Sequence, residues 1–187
     1  GISVTTASRW ISVLQASYII FLLEPHFKNF NKRLTKMPKL YFYDTGLACN
    51  LLRIQSPEQL LISPYWGGLF ECFIISDFAK QYFNQGSRPP IYFWRDKNGR
   101  LEIDCLIDDG TKLFPIEIKS SQNVSSDFFN GLNQWNELNE KSGGKRDSLH
   151  TYLVYTGTQR QQRISGTAIP WDKCGNLIKL IKKSFKS

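Results

Sequence analysis

The residues best suited to chemistry lie close together, in Arg100–Ser121, RLEIDCLIDDGTKLFPIEIKSS. Two strand-like segments meet there across Asp108-Asp109-Gly110, a turn composition. In the first, Leu101, Ile103, Cys105 and Ile107 alternate with Glu102, Asp104 and Leu106, so Asp104 is expected to point away from Ile103 and Cys105. In the second, Ile116 and Ile118 share one face while Glu117 and Lys119 share the other. Carboxylates and an ammonium from adjacent strands could therefore converge. Hard carboxylate oxygens suit Mg²⁺ or Mn²⁺, and a neighbouring Lys can stabilise charge building on a phosphate. The same alternation is also the ordinary pattern of a half-solvated antiparallel sheet.

A third carboxylate comes from a different element. Glu71 lies in the helical run Leu69–Phe83, LFECFIISDFAKQYF. Its own stripe continues through Ile75, Phe78 and Tyr82, all apolar or aromatic. A carboxylate on such a stripe is costly to bury unpaired. Either a first-turn position at the positive end of the helix or a site cation would satisfy it.

The elements around these residues are set by clear punctuation. A helix is expected over residues 3–15, a strand over Tyr18–Leu23 and a second over Leu40–Tyr43. Between the strands, Lys28, Lys32, Arg33, Lys36 and Lys39 form a run without an acid. Asp44 opens a short helix, and Ser56-Pro57 starts another. Gly67-Gly68 leads into the Glu71 helix. Ile91–Arg95 reads as a strand and Asp96–Gly99 as a hairpin turn into the Asp104 strand. A helix over 126–141, weakened by Gly131, follows Lys119. His150–Tyr155 and Ala168–Trp171 read as strands, and Asn176–Phe185 as a basic amphipathic helix.

The order Glu on a helix, Asp on a strand and Glu-x-Lys on the next resembles the PD-(D/E)XK nuclease superfamily, with Glu71, Asp104, Glu117 and Lys119 in those roles. The Pro of the superfamily's name has no counterpart before Asp104. A wider resemblance rests on four segments in order: KMPKLYFYDTGLACNLL, GGLFECFI, YFWRDKNGRLEIDCLI and PIEIKSS. They look like a bacterial and archaeal family of unknown function that forms the C-terminal part of predicted AAA+ ATPases. The likeness runs roughly from Ser3 to Trp171. It implies an α/β, restriction-endonuclease-like mixed sheet flanked by helices over 46–187, preceded by a partial winged-helix-like region over 1–45. It also implies an N-terminal AAA+ ATPase module outside this sequence.

Composition bounds the partners. The 187 residues carry a formal net charge of +8, which suits a polyanion partner, nucleic acid (here DNA) first and an acidic membrane second. The basic run would be the wing of the winged helix, a set of phosphate contacts, or simply a solvated loop. Arg95 would contact a phosphate or sit solvated at its strand end. Four cysteines without a C-x-x-C pair suit a reducing cytoplasmic setting. No apolar run is long enough to span a membrane. Ser142–Arg146 is not a Walker A loop, because it lacks both a Gly at 139 and a Ser or Thr at 146. The abrupt start at Gly1 reads as the start of a fragment.

The expectation is a Mg²⁺- or Mn²⁺-dependent phosphodiesterase acting on DNA. Asp104 and Glu117 would ligate metal, with the Ile118 carbonyl completing the set. Glu71 would hold a second metal or a water, and Lys119 would serve the phosphate. The alternatives are a catalytically inactive module that docks DNA or protein for the ATPase, and a homo-oligomerisation domain.

Overall fold

The computed structural model describes residues 1–27, 37–96, 98–143 and 150–184. The basic residues Lys28, Lys32, Arg33 and Lys36 lie outside the described residues.

The chain opens with α1 (Val4–Ala16), capped by Ser3, whose side chain accepts from the Thr6 amide. An antiparallel pair follows, β1 (Ile20–Leu23) and β2 (Lys39–Phe42), in the register Ile20/Phe42 to Leu23/Lys39. Asp44 caps α2 (Thr45–Leu51), and Ser56 with Pro57 starts α3 (Pro57–Leu61). The long helix α4 runs Trp66–Phe83, so Gly67 and Gly68 lie inside its first turn rather than before it.

A six-stranded mixed sheet carries the rest. It comprises β3 (Ile91–Arg95), β4 (Glu102–Asp108), β5 (Leu113–Lys119), β6 (Tyr152–Tyr155), β7 (Gln161–Arg163) and β8 (Gly166–Pro170). Its order is β3-β4-β5-β6-β8-β7. β4 runs antiparallel to both β3 and β5, β5-β6-β8 are parallel, and β7 returns antiparallel on β8. The two predicted turns close the first hairpins, with Gly99 and Gly110 at φ +65° and +85°, a region open to glycine at little cost. Asp96 holds the first turn through bonds from the Arg100 and Leu101 amides.

Helices cover both faces. α4 and α6 (Cys174–Ser184) pack on one, burying Ile75, Phe78, Leu177 and Ile178 against Cys105, Ile107, Ile116 and Val154. On the other, a 3₁₀ turn (Ser126–Phe129) leads into α5 (Asn130–Lys141). Phe129, Leu132 and Trp135 bury against Trp94, Ile103, Leu106 and Leu153. Gly131 therefore belongs to the first turn of α5, where it costs little, and not to a helix interior.

Two expectations about faces are corrected here. Ile103 and Cys105 do not share a face: Ile103 packs with Leu106 on the α5 side, and Cys105 with Ile107 on the α4 side. The cause is a β-bulge. Tyr92 pairs with Leu106 and Trp94 with Ile103, so Phe93 alone opposes both Asp104 and Cys105. Glu71 is the sixth residue of α4, in its second turn, so the first-turn dipole position does not apply.

The N-terminal segment joins the sheet. Beyond β1, Pro25 forms a parallel bridge with Phe93; the Phe93 amide donates to Glu24 O at 3.2 Å and the His26 amide to Phe93 O at 2.7 Å. Among the described residues, no helix is long and apolar enough to cross a membrane.

Candidate functional site

The site lies where β4 and β5 fork. The two strands pair from Asp108/Leu113 up to Cys105/Ile116. One step further, the Ile118 amide donates to Asp104 Oδ2 at 2.9 Å. The bulge supplies the extra residue that lets this carboxylate turn into the strand gap. Lys119 Nζ donates to Glu117 Oε1 at 2.5 Å and stands 3.8 Å from Asp104 Oδ2. Asp104, Glu117 and Lys119 are thus brought together, the two acids at only 9% and 8% exposure.

Glu71 arrives from above the sheet. Gly67 lies against Ser120, just past the end of β5, so the start of α4 is seated directly over the fork. Glu71 Oε1 accepts from Tyr41 Oη at 2.5 Å and from Lys39 Nζ at 3.0 Å. Lys39 also pairs with Glu102, which Arg95 Nε binds at 2.5 Å. Arg95 and Lys39 both lie over the Phe93 ring, at 5.7 and 5.5 Å from its centroid. So Lys39 and Arg95 are engaged within the site network. Sequence reasoning placed Lys39 in the basic run and missed Tyr41 and Glu102 as members of this site. The strand alternation that singled out Asp104 put Glu102 two residues away, and that was the available signal.

Electrostatics divide the cluster. Burial, then Glu117 and Glu71, push the Asp104 carboxyl well above its ordinary value. Burial also raises Glu117, against the pull of Lys119. Burial opposes charge on Lys119, but Asp104 and Glu117 outweigh it and hold its pKa above the ordinary lysine value. Burial opposes charge on Glu102 too, yet Arg95 and Lys39 win and its pKa falls. Burial and Glu71 together drive the Tyr41 hydroxyl far above its ordinary range, so it stays a donor.

The donor set fits a hard divalent cation. Among the described residues, Glu117 Oε2 is buried without a hydrogen-bond partner, and it faces Gly131 at the start of α5, where a Cβ would come within 3.9 Å. A cation would offset the burial, and with it the neighbouring negative charge, that raise both acids. Among the described residues, no three His, Cys, Asp or Glu groups form a ready-made cage. Two carboxylates with water and substrate oxygens suit Mg²⁺, which dehydrates reluctantly. Beside the site opens a cleft of about 600 Å³, lined in part by Lys39, Tyr41, Glu71, Leu51, Leu52 and Leu69.

Comparison with known proteins finds two domain families and relatives without a described activity. Residues 1–58 match a second domain of unknown function, DUF8612. Uncharacterised proteins of Mycobacterium bovis and Mycobacterium tuberculosis are each 31% identical over 121 residues, 65% of this chain and 26% of theirs. The chain therefore spans about a quarter of the length of these relatives. No solved structure matches. The family model that covers the fork, α4 and most of the sheet matches residues 66–174, more than half of the sequence, and the chain belongs to that family, the domain of unknown function DUF4143.

Proposed function

We propose that this domain carries a Mg²⁺- or Mn²⁺-dependent phosphodiesterase site acting on DNA, within a restriction-endonuclease-like fold. One observation carries the reading: Asp104, Glu117 and Lys119 meet at the fork with a buried carboxylate oxygen, Glu117 Oε2, left without a partner among the described residues. The family typically stands at the C-terminus of AAA-ATPase-like proteins. On this reading the domain would be the DNA-associated end of such an ATPase, its first 45 residues a winged-helix-like remnant.

In this reading Asp104 and Glu117 hold the cation, with the Ile118 carbonyl as a third ligand. When bound, the cation supplies an acidified water and neutralises the leaving oxygen. Lys119 is already ionised and aimed at both acids, so a phosphate replacing one of those contacts would receive its charge as negative charge develops. Burial strengthens that interaction and restricts competing water.

A second reading has its own observation. Arg95, Glu102, Lys39, Glu71 and Tyr41 form a continuous chain of contacts. Such a network also suits an inactive module that docks DNA or protein for the ATPase. Calorimetric titration with Mn²⁺ separates the two. In the enzyme, the parent binds Mn²⁺, Glu117→Ala abolishes binding, and Lys119→Ala folds and binds metal but cleaves DNA about 10²–10³-fold more slowly. In the inert module, the parent ignores Mn²⁺ and Mg²⁺, and Lys119→Ala loses about 1–3 kcal/mol of stability by leaving two acids facing each other. That second pattern would sink the enzyme.

A further inference from the structure

The structure assigns Lys39 and Tyr41, on β2, to the site as positioning residues that hold the Glu71 carboxylate at the fork, an assignment that rests on the metal-site reading above. The rest of the Glu71 stripe, Ile75, Phe78 and Tyr82, is buried in the core, so the backbone beneath Glu71 is fixed. Its side chain keeps rotamer freedom unless something removes it. Tyr41 and Lys39 do so, both donating to Oε1. Among the described residues Oε2 accepts no hydrogen bond, while the Glu71 charge acts on both Asp104 and Glu117.

The donors are themselves held. Tyr41 is 5% exposed, and its ring stacks on Phe21 at 5.7 Å. Lys39 is tied on its other side to Glu102, and Glu102 to Arg95. A ligating carboxylate is commonly oriented by hydrogen bonds to the oxygen or edge that does not meet the metal, and losing such a partner typically costs about 10–100-fold in metal affinity. Here the orienting groups come from the strand pair that precedes α2, not from the six-stranded sheet. The β1-β2 pair is therefore part of the catalytic unit.

The experiment is a Mn²⁺ titration of the parent, Tyr41→Phe, Glu71→Gln and the double variant, with thermal unfolding of each. Tyr41→Phe keeps the ring and removes only the hydroxyl. The expected result is Mn²⁺ binding weakened about 10–100-fold, near-parental unfolding, and a double variant no weaker than Glu71→Gln alone. On DNA the same variant should lower kcat and leave KM unchanged. If Tyr41→Phe does not fold, Lys39→Met takes its place, and Lys39→Arg should restore what Lys39→Met loses. Parental binding by Tyr41→Phe beside a weakened Glu71→Gln overturns the positioning role and leaves the Asp104–Glu117 metal site standing. Parental binding by Glu71→Gln overturns the inference in the same way. A parent that binds no Mn²⁺ overturns the metal site and this inference together.

Discussion

Asp104 is buried beside Glu117 and Glu71, and its carboxyl is raised by that burial and by those charges. The linkage follows from the sign of the shift. A folded-state pKa above the unfolded value means the folded protein holds the extra proton, so its contribution to stability is complete below the ordinary Asp value of 3.8 and is lost as pH rises through the folded value. Asp104→Asn removes that loss and keeps an oxygen for the Ile118 amide. The metal-free variant should therefore gain on the parent in thermal midpoint as pH rises above 3.8, the gain levelling off once pH passes the raised folded value. Saturating Mn²⁺ should raise the parent alone, since ligand binding stabilises only the chain that binds it. A difference in midpoint that stays flat with pH would mean the Asp104 charge is already satisfied in the folded protein.

At the level of elements, close approaches decide what the chain tolerates. A Cβ on Gly157 would come within 2.4 Å of Gln122 O and 2.3 Å of the Tyr155 ring, where the loop after β6 crosses the segment after β5. Gly157→Ala should lower the urea midpoint sharply, with a cost of about 2 kcal/mol or more from forced overpacking. Gly68, in the first turn of α4, has nothing within 4 Å of its Cβ position. Gly68→Ala should raise the midpoint, with a gain in stability of about 0.4–1 kcal/mol through the unfolded chain. Equal effects from the two changes would contradict the packing described. Helix caps and glycine turns were legible because Asp44, Ser56-Pro57, Asn98-Gly99 and Asp109-Gly110 act locally. The bulge was not, because an alternating pattern does not show where a partner strand skips a residue. Its trace was the run Cys105-Leu106-Ile107, apolar on both faces, which marks a strand covered on both sides. β7 escaped notice because Gln161–Arg163 is short and polar. Tyr41 gave no signal as a site member, and Glu102 gave only its place two residues from Asp104, because it is the docking of β2 beside α4 and β4 that brings Tyr41 to Glu71 and Lys39 to Glu102.

At the level of the whole molecule, the site does not supply the positive charge. Among the described residues, Glu71, Glu102, Asp104 and Glu117 pair with Lys39, Arg95 and Lys119, whereas the chain as a whole stands at +8. Lys39 is engaged by carboxylates, and the same segment of sequence also carries Lys28, Lys32, Arg33 and Lys36, which on the proposed function would meet phosphates. If DNA is the partner, neutralising three of them should reduce the slope of log affinity against log salt by about 2–3, near 0.9 for each lost contact. An unchanged slope would remove this segment from the interface. The bridge between Pro25 and Phe93 has a separate consequence. An uncovered β3 would offer unpaired backbone groups to any passing strand and could template aggregation. Glu24, Pro25 and His26 occupy the Phe93 amide and carbonyl, while the opposite margin, β7, is only three residues long. Both margins of the sheet are thus poor seeds for cross-β growth. Removing residues 1–26 should make light scattering grow faster with concentration and time than it does for the parent, even if the remaining sheet still folds.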